Sequence, residues 1–145
     1  MDLALVTSEH DGVRVLAVRG EVDLATIPQF RDAIGRLVTA ADAARGQHVV
    51  VDLDEVGVLD DTGLGILLGG RRRLAASGGQ LHLVASSERV LQLLSASGLD
   101  VLLPIHATLS AALAAIRQAT TASGGIAPRE GTGTNEQAGA SGSGA

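Results

Sequence analysis

Two acidic clusters in this chain have the residue types and spacing to do chemistry. The first is Asp52-Leu53-Asp54, directly after the apolar run Val49-Val50-Val51. Two carboxylates one residue apart at the end of a buried strand suit phosphoryl transfer, with the first as nucleophile and the second as acid/base. The second cluster is Asp60-Asp61-Thr62-Gly63-Leu64-Gly65, an acidic turn running into a helix that opens on glycines. Bare backbone N–H groups at a helix N-terminus attract phosphate. Two carboxylates on the same lip reverse that sign. They favour a protein partner, or a modification that changes the charge, over a phosphate-bearing cofactor.

Each enzymatic reading meets an obstacle in the same sequence. Phosphatases of the haloacid-dehalogenase type, which Asp52 and Asp54 would imply, balance their site with a downstream Lys. All eleven basic residues here are Arg. Gly63-x-Gly65-x-x-x-Gly69 stands where a dinucleotide fingerprint would, after a strand and opening a helix. Asp60 and Asp61 would repel a pyrophosphate there, and no acidic residue ends the strand at Val84-Ala85 to hold a ribose. No Gly-Lys-Ser/Thr element is present, so no cofactor is expected. Cysteine is absent and His10, His48, His82 and His106 lack metal-ligand spacing, so no metal is expected either. These histidines read as surface or strand-end residues, and Arg71-Arg72-Arg73 as a solvated helix face.

The remaining reading is recognition. Asp61 is expected to cap the helix by accepting from the N–H of Gly63 or Leu64. Gly63 and Gly65 in the first turn cost helix stability and imply close approach to the backbone. Gly69 and Gly70 imply tight packing on the sheet.

Composition narrows the partner. The chain has 145 residues, 46% of them hydrophobic, with one Phe, no Tyr and no Trp. The core must be aliphatic, and no aromatic platform exists for stacking bases. A net charge of −5 also argues against direct nucleic-acid binding. No apolar run approaches the roughly 20 residues of a membrane span, and Met1 to Leu5 is unlike a signal peptide. A cytoplasmic protein without membrane contact is expected.

These residues need a scaffold. Leu3–Thr7 and Val13–Val18 read as strands joined by an Asp11-Gly12 hairpin turn, with Gly20-Glu21-Val22-Asp23 closing the hairpin. A helix follows from Leu24 to about Ala44, with Pro28 in its first turn. Val49–Leu53 reads as a strand buried on both faces. Then come a helix over Thr62–Ser77, a strand over Leu81–Ala85, and a helix from Ser86 or Ser87 to Ser97, stopped by Gly98. A short strand over Val101–Ile105 and a helix from Thr108 to about Thr120 complete the order ββαβαβαβα. That order predicts an α/β domain over residues 1–120, with a mixed, mostly parallel sheet and packed helices. Residues 121–145, rich in Gly, Ser and Ala, are expected to be a disordered tail.

Taken together, the motifs resemble the STAS domain, and within it the bacterial anti-sigma factor antagonists. Gly20-Glu21-Val22-Asp23 is similar to that family's Gly-Glu-(Leu/Ile)-Asp turn. Val50-Val51-Asp52-Leu53 is similar to its central strand, and Asp60-Asp61-Thr62-Gly63-Leu64-Gly65 to its Asp-Ser-(Ser/Thr)-Gly-Leu-Gly signature. Gly98-Leu99 before Val101–Ile105 is similar to its late segment. The resemblance implies a non-enzymatic partner switch. Such a domain binds an anti-sigma factor, usually a small Ser/Thr kinase, and frees a sigma factor until the signature Ser is phosphorylated. It implies a partner surface at Asp23, Asp60, Asp61, Thr62, Gly63, Leu64 and Gly65. Asp61 departs from the pattern at the phosphorylated position. Asp61 is then a partial phosphate mimic, or the mark of an antagonist outside the phospho-switch, or Thr62 takes the phosphate instead. A STAS sensory or scaffold module without a sigma factor target is the alternative within the family.

Overall fold

Asp11 and Gly12 set the first turn. Their φ angles of 53° and 82° put both in the left-handed region, which gives the twist of a tight two-residue hairpin. The turn joins β1 (Leu3–His10) to β2 (Val13–Val22), with His10 opposite Val13. The chain continues through α1 (Ile27–Asp42), β3 (His48–Leu59), α2 (Asp61–Ala76), β4 (Gln80–Val84) and α3 (Glu88–Ser97). A single helical turn α4 (Leu99–Leu102), a short β5 (Ile105–His106) and α5 (Leu109–Ile126) follow. The computed structural model describes residues 2–42 and 46–126. Residues up to Leu113 form one compact unit, and the chain from Ala114 continues as the remaining turns of α5.

The strands lie side by side in chain order, β1-β2-β3-β4-β5. β1 runs antiparallel to β2, and every later pairing is parallel. Right-handed crossovers that all advance in one direction place α1, α2 and α3 on the same face. That face carries the core. Val49, Val51 and Leu53 of β3 and Leu81 and Leu83 of β4 pack with Phe30, Ile34 and Val38 of α1, Leu64 and Leu67 of α2, and Leu94 of α3. Val15, Val50 and Val84 alternate with these residues and are also buried. β3 is therefore withdrawn from water on both sides, as its unbroken apolar run requires.

The structure moves several expected boundaries. Gly20 closes the hairpin opposite Leu3, with the Glu21 N–H donating to the Asp2 carbonyl at 3.1 Å, but Gly20 to Val22 do not end the strand. They extend β2, pairing with Val56, Val58 and Leu59 across two register shifts. These shifts place extra residues in β3, which bends and outruns β4. The strand expected over Val101–Ile105 is mostly absent. Leu103 N–H donates to the Leu99 carbonyl at 2.9 Å, because Leu99 and Leu103 are buried four residues apart while Val101 is 85% exposed. Helical spacing overrides β-branched composition there. Gly98, left-handed at φ 81°, ends α3, and Ser87 caps it by accepting from the Val90 N–H. α5 runs past the expected Thr120 to Ile126. The rest of the expected tail, 127–145, and the expected helical residues 43 and 44 lie outside the described residues.

His10, His48 and His106 lie at strand ends as expected, and His82 does not. His82 is 6% exposed in the middle of β4. Its Nε2 meets His48 Nδ1 at 3.0 Å, and its Nδ1 meets His106 Nε2 at 3.1 Å. Three adjacent strands thus contribute one imidazole each to a hydrogen-bonded row. The row is linear rather than convergent, and no group of three His, Asp or Glu among the described residues is placed to hold a metal ion. With one proton in each N···N link, the row accommodates one added proton. A second would break a link. Burial pushes the His82 pKa down to about 4, with the charges of His48 and His106 adding to the effect. Burial also lowers His48 and His106.

The unfolded chain therefore binds more protons than the folded one between about pH 4 and 6.5, and stability rises with pH through that window. Urea titrations should show wild type losing on the order of 3 kcal/mol more than His82→Gln between pH 7 and pH 4. Parallel pH profiles for the two proteins would contradict the buried neutral row.

Candidate functional site

Two loops at one end of the sheet build the site. The first joins β2 to α1. Asp23 Oδ1 accepts from the N–H of Ala25 at 3.0 Å and of Thr26 at 3.2 Å. Thr26 is 3% exposed; its hydroxyl donates to the Glu21 carbonyl at 2.6 Å and accepts from the Asp23 N–H at 3.0 Å. This closed turn uses the residues expected to begin the helix, so α1 starts at Ile27 rather than Leu24. It also leaves Leu24 83% exposed at its tip.

The second loop joins β3 to α2. Asp60 N–H donates to the Val22 carbonyl at 3.2 Å, which ties this loop to the end of β2. Asp60 then caps α2 from an extended backbone, its Oδ1 accepting from the Gly63 N–H at 2.9 Å. The expected cap, Asp61, is instead the first helical residue and is exposed, as is Thr62. The reason is geometric. Only the residue held extended by β2 can fold its carboxylate back over the first turn. Asp61 gains the favourable field of the helix N-terminus without making the cap.

The signature glycines separate into two roles. A Cβ on Gly63 would lie 2.8 Å from Val22 Cγ1 and 2.9 Å from Leu59 Cδ1. Gly63 is buried, and so is Leu64. They dock α2 onto the strands, so these two residues of the expected partner surface are buried. Gly65 is exposed, with nothing within 4 Å of a Cβ built on it. The exposed surface is therefore Leu24, Asp61, Thr62 and Gly65, with Asp23 half-buried beside them. Gly70, expected against the sheet, packs mainly on α1, its Cβ position 3.2 Å from Ile34 Cγ2. Arg71 is not simply solvated either. Its Nε donates to the Leu102 carbonyl at 3.0 Å.

The other acidic pair lies within β3 and is engaged in hydrogen bonds. Asp52 Oδ1 accepts from the Asp54 N–H at 3.0 Å, and Asp54 Oδ1 accepts from the Ser86 N–H at 2.9 Å and from its hydroxyl. Sequence reasoning missed Thr26 and Leu24. The Asp-x-x-Thr spacing of Asp23 and Thr26, typical of a side-chain-capped turn, was the available signal for the first. Nothing local marks Leu24.

Comparison with known proteins follows this geometry. The family model of the STAS domain matches residues 4–112. The anti-sigma-B factor antagonist of Staphylococcus epidermidis is 30% identical over 107 residues, covering 73% of this chain and 94% of that protein. The crystal structure of an anti-sigma factor antagonist from Mycobacterium paratuberculosis aligns with TM-score 0.72 and 32% identity, over 80% of this chain and 95% of that one. The Bacillus cell fate determinant SpoIIAA in its phosphorylated form shares the fold, with TM-score 0.58 and 22% identity over 78% of this chain and 99% of that one.

Two stability measurements check the assignments. Asp60→Ala should cost about 1 kcal/mol by loss of the cap, and Asp61→Ala less than half as much. Equal losses would mean that the cap is misassigned. Gly63→Ala should cost about 1–2 kcal/mol net, because overpacking against stiff, buried Val22 outweighs better helix propensity. Gly65→Ala, with open space around it, should gain up to about 1 kcal/mol.

Proposed function

The chain belongs to the STAS domain family, and from that premise we propose that it is an anti-sigma factor antagonist. In this reading it binds an anti-sigma factor of the Ser/Thr kinase type in the cytoplasm and frees a sigma factor for transcription. One observation carries the proposal. The Asp60-capped end of α2 presents Asp61 and Thr62 to solvent beside the Asp23–Leu24 turn, and the hydrogen bond from Asp60 to Val22 holds both loops together. The names of the relatives, antagonists of anti-sigma factors, support the same reading. Binding rather than catalysis is supported by Asp52 and Asp54, whose carboxylates hold backbone N–H groups.

Asp61 decides how such a switch would be set. In a phosphorylated partner switch, phosphate brings about −1.5 to −2 charges to a packed interface, and repulsion with desolvation separates the proteins. Asp61 carries one charge permanently and cannot accept phosphate from a Ser/Thr kinase. We read the protein as an antagonist that kinase action does not silence. Thr62 is exposed and offers a hydroxyl one residue on. A phosphate there would gain the helix N-terminus but stand against both Asp60 and Asp61.

The test is a titration of wild type, Asp61→Ser and Asp61→Ala against candidate kinase-type anti-sigma factors of the same genome, with and without ATP. Wild type should bind at least as tightly as Asp61→Ser. It should stay unmodified under conditions where Asp61→Ser takes one phosphate. Tenfold tighter binding by Asp61→Ser, about 1.4 kcal/mol, would make Asp61 a built-in off signal instead. Stoichiometric phosphate on Thr62 would sink the kinase-insensitive reading.

A further inference from the structure

The two edges of the sheet are built differently. β5 ends one side with only Ile105 and His106, too short to template a further strand. β1 ends the other with eight residues, and among the described residues no strand pairs with its outer edge. Soluble proteins blunt such edges with charge, proline or a bulge. Leu3 to Ser8 carries no charge and no proline. Its pairing with β2 runs unbroken to His10, without a bulge. Val6 to His10 are all exposed, so nothing described overhangs the edge, and Val6 in the middle is 59% exposed.

The register fixes which backbone groups are free. Asp2 accepts from the Glu21 N–H, so Asp2, Ala4, Val6, Ser8 and His10 turn their N–H and C=O groups toward β2. Leu3, Leu5, Thr7 and Glu9 point theirs outward, because bonded and non-bonded pairs alternate along an antiparallel ladder. On the helix side of this edge, Leu3, Leu5, Leu16 and Leu37 line a groove of about 620 Å³ beside α1. The edge therefore offers both backbone partners and apolar surface.

We infer that the outer edge of β1 is a homodimer interface, at which a second copy adds its own β1 antiparallel about a two-fold axis at Val6. In that register Leu3 faces Glu9 of the second copy and Leu5 faces Thr7, which satisfies the outward groups with about eight hydrogen bonds. Val6 meets Val6 at the axis, Ala4 meets Ser8, and the Asp2 carboxylate stands opposite the His10 imidazole, an acceptor facing a donor. Shifting by two residues either way shortens the ladder and loses that last pair. A second copy suits this edge better than an unrelated strand because the pairing is self-complementary. It also closes at two copies, since the remaining edge is β5. The interface is independent of the function proposed above. The two-fold axis puts the Asp61 ends of the two copies at opposite ends of the joined sheet, so neither site is covered.

The full chain would be sized by sedimentation over a concentration series. Wild type should be a dimer at about 100 µM and dissociate on dilution. Val6→Lys places a charge at the axis, and Thr7→Pro removes an outward N–H while sparing the bonds to β2. Both should keep the wild-type circular dichroism and weaken the dimer at least tenfold. Cysteine is absent from the chain, so a single introduced thiol reports the register. Val6→Cys should form a disulfide-linked dimer with oxidised glutathione. Ala4→Cys should not, because its counterpart lies about 14 Å away along the strand. A wild type monomeric at about 100 µM overturns the inference. So does a dimer that both edge variants leave intact, or crosslinking of Ala4→Cys as fast as that of Val6→Cys.

Discussion

Val49, Val50, Val51 and Leu53 are each essentially inaccessible to water. A strand with no wet face must have neighbours on both edges and cover on both faces, and that demand organises this protein. β2 and β4 flank β3 in parallel. Parallel partners require long crossovers, which here are α1 and α2. β3 also outruns β4, because its pairing with β2 continues past Asp52 to Leu59. The free end of the most buried strand thereby delivers Asp60 to the edge of the sheet, where the Val22 carbonyl receives its N–H. The site is an extension of the core, not an attachment to it.

Small residues divide along the same line. Where α2 meets the strands and α1, Gly63 and Gly70 are required because Val22, Leu59 and Ile34 occupy the space of a side chain. Across the helix surface, Gly65 and Gly69 face open space. Identical residues within one helix thus answer two different needs. Helix propensity argues against all of them equally, so propensity alone could not have separated the two groups.

The carboxylates divide as well. Asp23, Asp54 and Asp60 each accept backbone N–H groups and hold loops in place. Asp61 makes no such bond among those described and stands exposed at a positive helix end. A carboxylate held there by the dipole carries a permanent charge open to solvent. On the opposite face of the sheet, the histidine row is neutral for the inverse reason, since burial disfavours the charged imidazole.

The sequence by itself determined whatever is local and periodic. Asp11-Gly12 announced the hairpin through its need for positive φ, and the apolar run from Val49 announced a two-sided strand. Ser87 and Gly98 bracketed α3, and the order of elements with the signature residues was enough to name the family. Element ends were less legible: β2 was cut short at Val18, and Val101–Ile105 was taken for strand although Val101 and Leu102 are helical. Tertiary structure decided matters that depend on residues far apart in the chain. Asp60 rather than Asp61 caps α2 because Val22 holds it. Gly63 packs and Gly65 does not because Val22 and Leu59 lie on one side only. His48, His82 and His106 form a row because strand register aligns them. A short segment fixes its own dihedral preferences, but which of its side chains is buried, paired or free is fixed only when distant segments compete for the same space.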